Sequence, residues 1–61
     1  MDITEQLRND RKDYVRLRER AEAIAMACPN TDVGKAMKEQ CRTLEAAIMN
    51  VNLALLMSGG S

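Results

Sequence analysis

The chain has 61 residues, with nine Lys or Arg against nine Asp or Glu, no His, two Cys and a single aromatic residue, Tyr14. A domain this small buries only about 60% of the surface its unfolded chain exposes, so it calls for a disulfide, a metal or self-association to hold it. Balanced charge with one aromatic residue argues against long nucleic acid as a ligand, no stretch is apolar enough to span a bilayer, and two separated Cys without His argue against zinc.

Asp2 is placed to cap a first helix, with Glu5 three residues on as the reciprocal partner of a capping box. The helix is expected to run from about residue 3 to 28, a stretch of strong helix formers without Gly or Pro. Ile3, Leu7, Tyr14, Leu17, Ala21, Ile24 and Cys28 recur at steps of three and four and are expected to form its buried stripe, with one gap at Asp10. Pro29 ends the helix, and residues 29–31 make a tight turn.

Asn30, Thr31 or Asp32 can cap a second helix, and Asp32 in its first turn complements the helix dipole. Gly34 is expected to weaken that turn by up to about 1 kcal/mol relative to Ala. The second helix spans about residues 32–57, with Met37, Cys41, Leu44, Ile48, Val51 and Leu55 facing the first. Ser58-Gly59-Gly60 releases it into a flexible tail, residues 58–61. The expectation is therefore an all-α chain, one domain over residues 1–61, folded as an antiparallel two-helix hairpin.

The second helix carries more apolar surface than one partner helix can cover. Ala46, Met49, Leu53 and Met57, with Leu56 nearby, recur on the side away from the first stripe. This second stripe predicts a homo-oligomeric helical bundle. Cys28 and Cys41 would lie on the order of 15–20 Å apart at helical rise, beyond disulfide reach, so both are read as free thiols in a reducing compartment. Asp10 interrupts the first stripe near Asn50 and Asn52, a polar layer of the kind that fixes register. The N-terminus is acidic and amphipathic, unlike a signal peptide, and the chain reads as a cytoplasmic protein.

Catalysis finds little footing. There is no His, Ser occurs only at positions 58 and 61, and no Gly-rich phosphate loop is present, so the chain is read as a non-enzyme with no cofactor. The i, i+4 ladder Arg8, Lys12, Arg16 and Arg20 is read as a solvated face balanced by Glu5, Asp13 and Glu19. Arg11 and Arg18 flank Tyr14 closer to the apolar edge. A flat ring for stacking between bidentate guanidinium donors is what a phosphorylated base requires. The chemistry therefore assigns Tyr14 to base stacking, Arg11 and Arg18 to phosphate, Lys35 and Lys38 to phosphate near the turn, and Asn52 to base or ribose hydrogen bonding. A small anionic ligand held between subunits would meet each of these groups more than once.

The run Leu44-Glu45-Ala46-Ala47-Ile48-Met49-Asn50-Val51-Asn52 resembles the second hairpin helix of small bacteriophage anti-defence proteins, the nucleotide sponges that counter CBASS and Thoeris immunity. That helix carries a Leu-Glu-Glu-Ala-x-Met-Trp-x-Asn-like run preceded by a Pro and a Ser-Arg-Glu-like start. Leu44, Glu45, Ala47, Met49 and Asn52 match, and Pro29 lies upstream. Asn50 stands where a Trp is common, TDVGK replaces the Ser-Arg-Glu start, and Thr43 is one place from the expected Thr. The resemblance implies an oligomer in the bacterial host cell that sequesters a cyclic nucleotide or cyclic ADP-ribose signal without cleaving it.

Two other readings compete. A protein-binding inhibitor or adaptor would dock the face of Ala46, Met49, Leu53 and Met57 onto a foreign protein, and Met suits such a surface because it repacks easily. A structural oligomerisation module would bind no ligand at all.

Overall fold

The computed structural model describes residues 2–59; Gly60 and Ser61, the end of the expected tail, lie outside the described residues. Helix α1 spans Ile3–Ala27 and helix α2 Asp32–Met57, with no strand among the described residues. Asp2 is extended and its carboxylate accepts from the Thr4 N–H at 3.2 Å, so the first cap forms as expected. α1 stops where the Cys28 backbone leaves helical geometry and Pro29 offers no N–H to continue the ladder.

Of the three possible caps of α2, the chain uses Thr31. Its Oγ1 accepts from the Gly34 N–H at 3.0 Å and donates to the Cys28 carbonyl at 2.9 Å. One side chain thus satisfies a donor at the start of α2 and an acceptor at the end of α1. Gly34 is buried against this junction, and a Cβ there would overlap the Cys28 carbonyl. What looked like a weak spot in a helix is the condition for so tight a turn. At the far end Gly59 takes φ +76°, and the N–H groups of Ser58 and Gly59 close the helix on Ala54 and Leu56.

The helices meet along a seam of alternating steps of three and four. On α1 it runs Thr4, Leu7, Arg11, Tyr14, Arg18, Ala21, Ala25; on α2, Gly34, Met37, Cys41, Leu44, Ile48, Val51, Leu55. Every one of these residues is at least partly buried. This corrects the expected first stripe. Leu7, Tyr14, Ala21 and Cys28 lie on the seam, but Ile3, Leu17 and Ile24 are 61%, 45% and 36% exposed. They precede Thr4, Arg18 and Ala25 by one residue, about 100° around the helix, and α2 is too narrow to cover both rows. Asp10 stands in the same row, seven residues from Ile3 and from Leu17, but unlike them it is partly buried.

Arg11 and Arg18 occupy the seam instead because α2 meets them with polar partners. Arg11 Nη1 donates to Asn52 Oδ1 at 2.9 Å, and Arg18 Nε donates to Glu45 Oε1 at 3.0 Å. The polar layer at the open end is therefore Arg11 with Asn52, where the sequence pointed to Asp10 with Asn50. Cys28 and Cys41 are both free thiols, and Cys41 Sγ lies 3.7 Å from the Arg18 carbonyl as a weak donor.

The buried apolar residues are Ala21, Ala25, Leu44 and Leu55. The hairpin exposes 4676 Å². A compact monomer of this mass would expose about 4,000 Å² by surface scaling. The excess of roughly 700 Å² follows from the elongated shape of the hairpin, 43 × 16 × 13 Å.

Candidate functional site

The seam pairs fix the guanidinium groups on one side of the hairpin, the side on which Glu45 and Asn52 flank α2. Arg18 is held by Glu45 and, more loosely, by Glu22 at 3.8 Å along its own helix. The hydrogen bond and charge of Glu45, with a smaller contribution from Glu22, raise the Arg18 pKa above its ordinary value. Arg18 is thus a neutralised cation, one carboxylate opposite and one beside it. Arg11 differs, because its partner Asn52 is uncharged and leaves its positive charge uncompensated.

Two open grooves carry these arginines. The first, about 740 Å³, is lined by Ala25, Met26, Pro29 and Cys41 and by Arg18, Lys38 and Arg42 against Glu22 and Glu45. Arg42 also pairs with Glu39 at 3.6 Å, an exposed contact. The second groove, about 330 Å³, is lined by Arg11, Lys12, Val15, Arg16 and Glu19. It is the more cationic of the two, with three cations to one carboxylate around an apolar patch at Val15. It also borders the seam contact of Arg11 with Asn52.

The predicted site residues therefore divide. Arg11 and Asn52 touch, and Arg18 shares a groove with Lys38. Tyr14 sits on the seam between the two arginines, partly buried, and its ring lines neither groove. Lys35 is exposed in the first turn of α2, outside both grooves. Sequence reading assigned Lys12 and Arg16 to a solvated ladder and missed their grouping with Arg11. The signal was available: Arg11 and Val15, like Lys12 and Arg16, are four apart, so the four share one helix edge.

α2 carries a contrasting surface. From Ala46 to Gly59 the chain has no charged residue. Within that stretch Met49, Leu53, Leu56 and Met57 are 71%, 56%, 66% and 81% exposed, and Ala46 is exposed as well. Scattered apolar side chains are ordinary on a surface, but an uncharged run of this length is not. Depletion of charge around exposed Met and Leu is the composition of an interface centre.

No protein-family model, curated protein or solved structure matches the chain. Among the described residues no cluster of His, Cys, Asp or Glu is arranged to hold a metal ion, and no helix is long and apolar enough to cross a membrane.

Proposed function

We infer that this hairpin self-associates through the exposed face of Ala46, Met49, Leu53, Leu56 and Met57 and binds a small anion, a cyclic nucleotide immune signal, without cleaving it. The observations that carry the reading are the cationic groove of Arg11, Lys12 and Arg16 on α1 and the uncharged apolar face on α2. Asn52 links the two, since it lies on α2 and accepts from Arg11. Arg11 and Arg16 supply charge, Val15 an apolar surface for a base, and the free amide of Asn52 a donor. Arg18 lines the other groove, and Glu45 and Glu22 further reduce its weight as a phosphate ligand.

The resemblance of residues 44–52 to the phage sponges gives the class of signal and the host cytoplasm as the place of action. A stoichiometric sponge works by mass action: it starves an immune effector when its dissociation constant lies below the signal's concentration and its copy number above it. Calorimetric titration with cyclic di- and trinucleotides and cyclic ADP-ribose isomers tests the reading. Saturable binding is expected, weakened at least tenfold by Arg11→Ala or Arg16→Glu, with the ligand recovered intact after denaturation. Absence of binding across the panel, or recovery of a cleaved product, would overturn it.

The exposure of Met49, Leu53, Leu56 and Met57 also fits the second reading, a foreign protein docked on the same face. The two separate in the free protein. The adaptor is a lone hairpin until its partner arrives, whereas the sponge is already assembled.

A further inference from the structure

The exposed stripe on α2 has an internal order that specifies how a second copy would lie on it. Ala46, Met49, Leu53 and Leu56 follow steps of three, four and three, the spacing of a second coiled-coil seam on the back of the helix. We propose that two copies of this chain pair through α2 with the helices antiparallel, about a two-fold axis level with Val51. This rests on the self-association reading above and gives it a geometry.

Three features select this arrangement. Positions 46 and 56 are equidistant from residue 51, as are 49 and 53. Antiparallel pairing therefore sets Ala46 against the partner's Leu56 and Met49 against the partner's Leu53, twice each. Every layer then combines a small with a large side chain, or two of similar size, and fills evenly. Parallel pairing would set Ala46 on Ala46 and Leu56 on Leu56, leaving one layer hollow and another crowded.

The second feature is charge. α2 has no basic residue in its last turn to meet the partial negative charge of its C-terminal carbonyls. Arg42 continues the stripe one turn before Ala46 and is 79% exposed at its side chain. At helical rise it lies about 13.5 Å from the proposed axis and the helix end about 9 Å, a difference of about 4.5 Å that an Arg side chain spans. Each Arg42 would thus supply the cation that the partner's helix end lacks.

The third feature is the centre itself. Asn50 and Asn52 flank the stripe beside the axis, and neutral amides that both donate and accept suit a two-fold crossing as no charge would.

Opposite charges placed at the two ends of the stripe test the orientation. Sedimentation equilibrium is measured for the native chain, for Ala46→Glu, for Leu56→Lys and for the double variant, with circular dichroism verifying helicity in each. Both positions are exposed on the hairpin, so the fold is expected to survive. Each single change is expected to weaken association at least tenfold. The double variant should associate at least tenfold more tightly than either single, because the carboxylate introduced on one chain then meets the ammonium introduced on the other. A double variant weaker than both singles, with the native chain associated, would overturn the antiparallel geometry and leave self-association standing. A native chain that stays a monomer at about 100 µM would overturn both.

Discussion

Replacing Gly34 by Ala opposes two effects of known sign. Ala is the better helix former, by about 1 kcal/mol in a helix interior, and it narrows the unfolded ensemble. Against this, a Cβ at position 34 would overlap the Cys28 carbonyl and come within 3.4 Å of Thr31 Oγ1. The obstacle is backbone, which no rotamer change relieves. Moving it disturbs the cap, because the same carbonyl accepts from Thr31 Oγ1, which in turn accepts from the Gly34 N–H. Overpacking of this kind costs about 1–3 kcal/mol, and the lost cap adds about 1 kcal/mol. The net expectation is a loss of about 1–3 kcal/mol, or a fall in Tm of about 5–20 °C for a domain of this size. Thermal melts followed by circular dichroism at matched protein concentration measure it, since any assembly makes Tm concentration-dependent. A Tm for Gly34→Ala equal to or above that of the native chain would refute the steric account of the turn.

Thr31→Ala is expected to cost about 1 kcal/mol, through loss of the same bridge without the clash, and so to lower Tm less than Gly34→Ala does. Arg18→Met should lower Tm less than either, because its pairs with Glu45 and Glu22 are solvent-exposed and screened. Any advantage of the native chain over that variant should shrink as salt rises from about 0.05 to about 0.5 M, as expected for surface charges. Leu53→Glu should reduce the sedimenting mass to that of one chain while far-ultraviolet dichroism remains helical. Loss of helicity together with mass would mean that the hairpin cannot stand alone.

The helix limits and the turn were legible in the sequence because each is set by local chemistry, a capping side chain or a proline within a few residues, while the cap of α2 was narrowed only to Asn30, Thr31 or Asp32. The seam was only half legible. Leu7, Tyr14, Ala21 and Cys28 form one of its rows, but the other is Thr4, Arg11, Arg18 and Ala25, which no hydrophobicity rule selects over Ile3, Leu17 and Ile24. The choice depends on Asn52 and Glu45, 41 and 27 residues away, which satisfy the guanidinium groups while their apolar stems lie in the seam. Gly34 was misjudged for a related reason: helix propensity is local, and the Cys28 carbonyl that excludes a side chain belongs to the other helix end. In the candidate site, the chemistry of Arg11 and Asn52 was visible in advance, but their contact was not. The grouping of Lys12 and Arg16 with Arg11 around Val15 emerges from the folded groove, whereas the sequence alone shows them as an i, i+4 ladder on a solvated face.

Native mass spectrometry of the purified chain, alone and with cyclic di- and trinucleotides and cyclic ADP-ribose isomers, tests the central claim most directly. A discrete assembly of an even number of chains is expected, retaining one of these ligands intact in a stoichiometry matching its symmetry. A single chain of 6.8 kDa, or an assembly that takes up none of them, would contradict it.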